Sequence, residues 1–317
     1  MKIKKITIFG CAMTVLGLFM MVVGFNKINF SKVALAEIAN VSQLTKIIKT
    51  PGKEIVVQYG SDIINNLGNK NSSGGPLKEF LNQKYNAAAI RKIDIDVDAV
   101  ELNLYNTNTS DFEVKIETNS NTIYPEVKLD GRELKIELDN ENKSNKSKKI
   151  LNVENETKIT VKGPFNNLQK LDISASTSLL NLNDISNILK SEFDLEMSKA
   201  TLNNLNLQNI ELDMDMSYLI ANNSSFNNFN VEADMSKMEA KNIKISNSNL
   251  DLRVSQFLIN NANFMDRNFI SSYMSDLSIL LNPESNTEVF KNNDTTNSKN
   301  YIILKENMSR SNIDTKK

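Results

Sequence analysis

A serine recurs at nearly constant spacing through the second half of this chain. The six positions are Ser178, Ser198, Ser217, Ser236, Ser255 and Ser275, separated by 20, 19, 19, 19 and 20 residues. Each serine follows a short run in which apolar and polar residues alternate, and an apolar residue comes two places after it. A recurrence of this length is typical of a solenoid, in which each coil buries its apolar side by stacking on the next. We therefore predict an all-β, single-stranded β-solenoid, similar to a β-helix, with rungs of about 19–20 residues.

Columns of apolar residues appear when the rungs are aligned on the serines. Alternation with period two is that of a strand, so the columns before the serine predict one inward-facing side. The first column is Ile173, Phe193, Leu212, Val231, Leu250 and Phe269. The second is Ala175, Leu195, Met214, Ala233 and Leu252, and Ser271 interrupts it. The third is Thr177, Met197, Met216, Met235 and Val254, in which we interpret the methionines as core-filling rather than as a metal site.

The serine changes the phase of this pattern. The next apolar column begins three residues beyond the third and contains Leu180, Ala200, Leu219, Met238, Phe257 and Leu277. A further column contains Leu207, Phe226, Ile245 and Phe264. A change of phase from two to three predicts a corner or a bulge at each serine.

Asparagine also recurs in columns. One contains Asp184, Asn204, Asn223, Asn242 and Asn261, and another contains Asn209, Asn228, Asn247 and Asp266. Asn tolerates left-handed backbone geometry, and stacked Asn side chains can bond to each other from strand to strand. We therefore interpret these columns as turns of the solenoid, with sugar or metal binding as the alternative.

The N-terminus has the pattern of a membrane anchor. Three lysines within residues 1–5 precede residues 6–25, which carry no charge and are long enough to span a bilayer. The basic flank predicts a cytoplasmic N-terminus and an extracytoplasmic remainder, that is, a single-pass protein of the cell membrane. We favour an uncleaved signal anchor over residues 1–25. Cleavage after Ala36 and a lipoprotein site at Gly10-Cys11 are the alternatives.

The chain divides by pattern into four parts: the anchor at 1–25, a linker with scope for short helices at 26–89, the strand-repeat domain at 90–282, and a tail at 283–317. Asp130-Gly131, between two alternating runs, predicts a β-hairpin. Tyr301 to Leu304 predicts a strand that caps the open end of the solenoid, and residues 309–317 are predicted to be disordered.

Two columns of carboxylates follow the outward side of the first strand of each rung. One is Asp194, Asp213, Glu232 and Asp251, and the other is Glu196, Asp215 and Asp234, which Arg253 ends. Like charges stacked at the spacing of strands repel by some tenths of a kcal/mol per pair. We interpret the columns as a solvated face whose repulsion is relieved by salt and by Lys199, Lys237 and Lys241. A divalent cation bound between rungs, calcium above all, or a docked basic partner are the alternatives.

The composition argues against catalysis. The chain has no His and no Trp, and its single cysteine, Cys11, lies in the apolar segment. The commonest general base and the usual zinc ligand are therefore missing, and no His can activate the recurring serines. Tyr218 and Tyr273 are the few candidates for the exposed aromatics of a sugar cleft. With 37 basic and 38 acidic residues, the net charge gives no support for binding nucleic acid. We expect no catalytic residue and no cofactor.

Several segments resemble a known family. They are the basic start with its apolar anchor, the opening Ile93-x-Ile95-x-Val97, and the stretches Gly131-x-x-Leu134-x-Ile136 and Leu168-x-x-Leu171-x-Ile173. Together they resemble the putative adhesin family of bacterial β-strand-repeat proteins, a domain of unknown function, over about residues 90–281. The family's Gly-containing turns are replaced here by sequences such as Met197-Ser198-Lys199. The resemblance implies a membrane-tethered β-solenoid that faces outward at the cell envelope, and it carries over no site residue.

We therefore expect a non-enzymatic bacterial envelope protein whose solenoid serves adhesion or interaction. Its partner is expected to be an envelope protein, a cell-wall polymer or a host surface, because regular repeats form extended binding faces. A polysaccharide-active enzyme on the same scaffold is one alternative, favoured by a single cleft in which two carboxylates flank an aromatic residue. A signalling accessory that responds to envelope stress and works through residues 1–32 is another.

Overall fold

The computed structural model describes residues 49–50, 53–54, 76–119, 125–138, 156–291, 298–307 and 309–315. The chain forms two compact units, residues 1–56 and 57–317. In the first unit, two short antiparallel strands, β1 (Lys49–Thr50) and β2 (Lys53–Glu54), flank Pro51-Gly52. The predicted anchor at 6–25, both of its alternatives and most of the predicted linker lie outside the described residues. Within the described ranges, no helix has the length and apolar character required to cross a bilayer.

The described residues of the second unit form strands and two short 3-10 turns. The turns are Ala87–Ala89 and Phe165–Asn167. The strands in chain order are β3 (Lys78–Asn86), β4 (Lys92–Asp98), β5 (Glu101–Asn106), β6 (Asp111–Thr118), β7 (Glu126–Asp130), β8 (Glu133–Leu138), β9 (Thr157–Gly163), β10 (Lys170–Ser176), β11 (Leu179–Asn183), β12 (Lys190–Glu196), β13 (Lys199–Asn203), β14 (Asn206–Asp215), β15 (Tyr218–Asn222), β16 (Ser225–Asp234), β17 (Lys237–Arg253), β18 (Gln256–Tyr273), β19 (Asp276–Leu281), β20 (Glu288–Lys291), β21 (Tyr301–Asn307) and β22 (Arg310–Thr315).

These strands form parallel stacks, as a β-solenoid requires. The first stack, before the recurring serine, runs in space β7-β8-β4-β10-β12-β14-β16-β17-β18-β21-β20. The second stack, after the serine, runs β3-β6-β9-β5-β11-β13-β15-β17-β18-β19-β22. A third stack joins 206–208, 225–227, 243–246 and 262–265. The predicted all-β solenoid with rungs of 19 or 20 residues is confirmed.

The core is the hydrophobic spine between the stacks. Phe193, Leu212, Val231 and Leu250 are direct neighbours in register, and none is more than 5% exposed. The columns that begin at Leu180 and Leu207 are also buried and in register. Parallel strands buried against each other in this way stabilise each rung through its neighbours, which confirms the predicted stacking.

The order of the first rungs departs from chain order. Strands β8 and β9 form the outermost rung, and β4 with β5 lies between that rung and β10 with β11. Antiparallel strands close this end, because β7 pairs with β8 and β6 pairs with both β3 and β9. The predicted hairpin at Asp130-Gly131 is confirmed as the β7–β8 connection, in which Gly131 adopts φ +59°. That left-handed conformation favours glycine.

The first predicted column is wrong at its last member, because Ile270 and not Phe269 faces the core. Between Ser246 and Ser248 of β17, the facing strand β18 carries one additional residue. This bulge turns Ile270 and Ser272 inward, where they are 1% and 2% exposed, and leaves Phe269 39% exposed. Phe269 and Ser271 therefore lie on the outside, because an inserted residue reverses the side of every following side chain.

The third predicted column, apart from the buried Thr177, also does not face the core. The predicted corner at the serine is confirmed, but the residue before each serine occupies it with positive φ, for example 48° at Met197 and at Met216. These methionines are half-buried, whereas the following serines are at most 4% exposed. The left-handed turn directs the serine inward in place of the methionine, so the interpretation of the methionines as core-filling is wrong.

Both ends of the repeat domain extend beyond the predicted limits. Strand β3 begins at Lys78, within the stretch expected to be a linker, and pairs with β6. Strand β21 occupies the place of the predicted capping strand. Residues 310–315 form β22 and pair with β19, so the prediction of disorder is wrong for them. Their short polar sequence has no apolar run. They form a strand because they pair with the free edge of β19.

Candidate interaction surface

The serine corners hold the two main stacks in register. The Ser217 hydroxyl accepts a hydrogen bond from the Ser198 backbone N–H at 3.0 Å and lies 2.8 Å from the Leu195 carbonyl and 2.9 Å from the Asp215 carbonyl, to which it can donate. The N–H to hydroxyl bond recurs at 2.9–3.2 Å from Val100 to Ser178, then through Ser198, Ser217, Ser236, Ser255 and Ser275 to Ser309. This serine ladder satisfies buried backbone groups that a corner would otherwise leave unpaired.

The asparagine columns form ladders of their own. Positive φ angles confirm the predicted left-handed turns, for example 49° at Asn223 and 55° at Asn242. The Asn242 amide donates to Asn223 at 2.9 Å, and the Asn261 amide donates to Asn242 at 2.8 Å. A shallow groove of about 530 Å³ follows this ladder, and Lys244 lines it. Because the amides bond to one another, their first role is to hold the turns.

The predicted carboxylate columns lie on the outer side of the first stack. Asp194, Asp213, Glu232 and Asp251 are consecutive neighbours in register, and so are Glu196, Asp215 and Asp234. All are exposed except Asp251, which is half-buried. We call these seven residues the acidic face. The alternation of the strands places them outward, because their neighbours Leu195, Met214, Ala233 and Leu252 are buried.

The lysines expected to relieve the repulsion lie elsewhere. Lys199 and Lys237 are on the second stack, where their ammonium groups lie 5.5 and 5.2 Å from the centre of the Tyr218 ring. Lys237 pairs with Glu239 at 2.7 Å. Among the described residues, the one ion pair found for the acidic face is Arg253 with Asp251 at 2.9 Å. Lys241 also lies on the second stack, beside Asn222. The interpretation that Lys199, Lys237 and Lys241 relieve the repulsion on this face is therefore wrong.

The electrostatics of the face follow from this arrangement. Partial dehydration on the crowded sheet raises the pKa of Asp215, and the carboxylates of Asp234, Glu196, Asp213 and Asp194 raise it further. Dehydration likewise raises the pKa of Asp194, with a contribution from Asp213, and it raises the pKa of Asp234. Each effect disfavours the charged form, whereas a cation close to these carboxylates would favour it.

A neighbouring column is neutralised, and sequence reasoning missed it. Lys92 lies 2.8 Å from Asp172 and 2.6 Å from Glu133, and Lys170 lies 2.9 Å from Asp172 and 2.6 Å from Glu192. The contacts of Lys170 and Lys190 with Glu192 lower the pKa of Glu192 to about 2. The sequence did contain a signal for these ion pairs, because Lys92, Lys170 and Lys190 each stand three residues before a residue of one buried column, Ile95, Ile173 and Phe193. Among the described residues, the acidic face by contrast has a single such partner, Arg253 beside Asp251.

The face does not gather its carboxylates at one point. Within the described ranges, no three His, Cys, Asp or Glu side chains converge so that they could hold a metal ion. The alternative of calcium between rungs stays a prediction, for which the geometry supplies a charged surface rather than a cage. Tyr218 and Tyr273, the candidate aromatics of a sugar cleft, do not lie together. Tyr218 packs between Lys199 and Lys237 on the second stack, and Tyr273 is the last residue of β18.

Sequence comparison assigns the repeat domain. Residues 90–300 match the family model Toastrack DUF4097. The chain belongs to this Toastrack family. The Toastrack match spans the serine corners and the whole acidic face, and the family's designation as a domain of unknown function assigns it no activity. It confirms the resemblance derived from the sequence.

Several solved structures align with much of this Toastrack chain at low sequence identity. A putative adhesin from Bacteroides fragilis is 12% identical, with a TM-score of 0.47, over 74% of this chain and 96% of its own. A putative cell adhesion protein from Clostridium sporogenes is 11% identical, with a TM-score of 0.27, over 76% and 100%. A putative adhesin from Parabacteroides merdae is 10% identical, with a TM-score of 0.33, over 77% and 97%. No curated protein matches the sequence.

Proposed function

We propose that this chain is a non-enzymatic protein of the bacterial cell envelope that uses its solenoid as a binding surface, and that the acidic face receives a basic protein partner. The observation that carries the proposal is the segregation of charge. Seven carboxylates line one flat side of the first stack, and one ion pair is found for them among the described residues. The whole chain carries a net charge of only −1, so this concentration is local.

The physical basis is complementarity. Dehydration on the sheet is the main cause of the raised pKa of Asp194 and Asp215, and repulsion by neighbouring carboxylates adds to it. A partner with clustered Lys or Arg side chains would offset that repulsion. Charge complementarity of this kind increases the rate of association and selects against acidic partners. The carboxylates repeat from rung to rung on a hydrogen-bonded sheet, so an extended basic segment would meet a preformed surface. Little free energy would then be spent on ordering that surface when the segment binds.

Membrane attachment through residues 6–25, with the repeat domain outside the cytoplasm, forms part of the proposal. It rests on the uncharged run of residues 6–25 and on the lysines that precede it. Protease added to intact spheroplasts is expected to digest the repeat domain. A repeat domain that is degraded only after lysis would contradict this orientation.

The binding proposal is tested with the full chain and an oligolysine peptide as the probe. One variant carries Asp194→Asn, Asp213→Asn, Asp215→Asn and Asp234→Asn. A matched control removes four carboxylates away from the face through Asp111→Asn, Asp276→Asn, Glu284→Gln and Glu288→Gln. We expect the first variant to bind the peptide at least about tenfold more weakly, equivalent to about 1.4 kcal/mol, and the control to retain the parent's affinity.

Salt provides a second readout. The parent's affinity should fall as salt is added, since counterions screen exposed charges over about 8–10 Å at physiological ionic strength. Equal affinities for the parent and the neutralised variant would refute a role for the acidic face. Calcium added without peptide serves as the comparison, because heat released by calcium, absent in the neutralised variant, would indicate a cation site instead.

A further inference from the structure

Four strands lie at free edges of the described stacks, and three of them are protected. Strand β3 has a bulge between Glu79 and Leu81 and carries Lys78 and Lys84. Strand β7 alternates charged side chains, and β20 is only four residues long. Bulges, charges and shortness are the usual means by which a sheet edge avoids pairing with another chain.

The fourth edge, β22, lacks most of this protection. It pairs with β19 along Arg310–Thr315 without a register shift, and no other described strand adjoins it. It contains no proline and no lysine. Its only charged residues are Arg310 and Asp314, of opposite sign and each two positions from Asn312. The sequence of this edge is therefore balanced about its centre.

The hydrogen bonds of β22 fix which of its backbone groups are free. The Arg310 N–H donates to the Ser275 carbonyl at 3.0 Å, so Arg310, Asn312 and Asp314 direct their backbone groups toward β19. In a parallel ladder the intervening residues point the other way. The N–H and C=O groups of Ser311 and Ile313 consequently face away from β19.

One antiparallel register satisfies both the backbone and the charges. If two copies of β22 meet about a two-fold axis at Asn312, Ser311 lies opposite the partner's Ile313 and the two residues exchange both backbone hydrogen bonds. The same happens at the symmetric pair, which makes four bonds. Arg310 then lies opposite the partner's Asp314 on the outer side, again twice. Shifting by two residues in either direction keeps the backbone bonds but separates the charges.

We propose that β22 is a dimerisation edge, at which a second copy of this chain adds its own β22 antiparallel and extends the second stack into a continuous sheet across two solenoids. The interface is isologous, as a two-fold axis requires. Ile313, which packs partly exposed against the core, gains a covering neighbour from the other copy. The inference is independent of the acidic face, which lies on the first stack.

A disulfide tests the register directly. In a full chain that carries Cys11→Ser, purified in mild detergent, Asn312→Cys places two thiols at a non-hydrogen-bonded pair whose Cα atoms are about 4.5 Å apart, within the range of a disulfide. Ser271→Cys, on the exposed side of β18 in the first stack, is the control, because it leaves β22 and its charges intact and its two copies would not meet across this edge. We expect oxidation to give a covalent dimer for the first variant and not for the second.

Charge reversal tests whether the partner strand is a second copy of β22. Arg310→Glu alone and Asp314→Arg alone each place like charges opposite each other twice, so each is expected to weaken self-association at least about tenfold. Mixing the two variants restores opposite charges at both contacts and is expected to restore the dimer. Arg132→Glu, in the turn at the other end of the domain, should leave association unchanged.

Three results would overturn the proposal. The first is a parent chain that sediments as a monomer and gives no cross-link at Asn312→Cys. The second is equal cross-linking of the two cysteine variants, which would indicate random collision or another interface. The third is failure of the mixed charge variants to associate more tightly than either variant alone.

Discussion

Replacing Ser217 with alanine tests the serine ladder, on which the corner geometry depends. In Ser217→Ala the buried Ser198 N–H loses its acceptor at 3.0 Å, and the carbonyls of Leu195 and Asp215 lose a donor. Ser217 is 3% exposed, so water has little access to replace the hydroxyl. Leaving a buried donor unsatisfied costs about 1–3 kcal/mol. We expect the free energy of unfolding to fall by about 2 kcal/mol.

The measurement is denaturant unfolding followed by circular dichroism, with thermal melting as a second assay. For a domain of this size, about 2 kcal/mol corresponds to a fall in Tm of roughly 4–8 °C. Two controls accompany it. Ser309→Ala removes the same acceptor at the half-exposed end of the ladder, where water can substitute, and should cost under about 1 kcal/mol. Ser271→Ala, on the exposed side of β18, should stay within about 0.5 kcal/mol of the parent.

The two ladder positions are compared directly. Unfolding of Ser217→Ala at the parent's denaturant concentration would show that the hydroxyl contributes nothing to the corner. Equal destabilisation by Ser309→Ala and Ser217→Ala would show that burial of the acceptor is irrelevant.

Four further predictions concern the core, a close contact and the pH dependence of two carboxylates. Ile270→Ala should cost about 2–4 kcal/mol and Phe269→Ala about 1 kcal/mol or less by denaturant unfolding, because Ile270 is the buried one; the opposite order would place Phe269 in the core. Gly163→Ala sets a Cβ 2.1 Å from Cδ1 of the buried Phe112 ring, so it should cost about 2–3 kcal/mol. Gly131→Ala meets no atom within 4 Å and should cost only the roughly 1 kcal/mol of its left-handed backbone; equal melting temperatures would contradict the contact. Since the folded state raises the pKa of Asp215, stability should fall as the pH rises above the ordinary Asp value of about 3.9, and Asp215→Asn should reduce that slope; an unchanged slope would exclude the effect. The pKa of Glu192 is lowered to about 2, so its stabilisation should be present at neutral pH and be lost as the pH falls from about 4.5 toward 2, and Glu192→Gln should remove about 1 kcal/mol at pH 7 in the same titration.

The repeat itself could be predicted because its physics is local. Each rung carries the same alternation and the same corner residues, so aligning Ser198, Ser217 and Ser236 places neighbouring rungs in their observed register. The acidic face follows for the same reason, since outward positions alternate with inward ones. Alternation and rung length together are therefore enough to assign its seven residues to one common surface.

Features that depend on two rungs at once could not be predicted in this way. The extra residue in β18 has no signature of its own, and only pairing with β17 shows that Ile270, and not Phe269, turns inward. The positive φ at Met197 and Met216 gives the inward position to the serine, although period two favoured the methionine. Which lysines neutralise which carboxylates likewise depends on the corner, which carries Lys199 and Lys237 onto the second stack.

The residue pattern was therefore enough to predict the solenoid, the length of its rungs, most of its buried columns and the charged character of one side. The spatial order of the first rungs, the pairing of β3 and β22, and the scarcity of cations beside the acidic face emerged only from the folded chain. The difference lies in the range of the interactions. Periodic burial repeats along the chain, whereas the ends of a stack and the partners of a charge are set by strands that are distant in sequence.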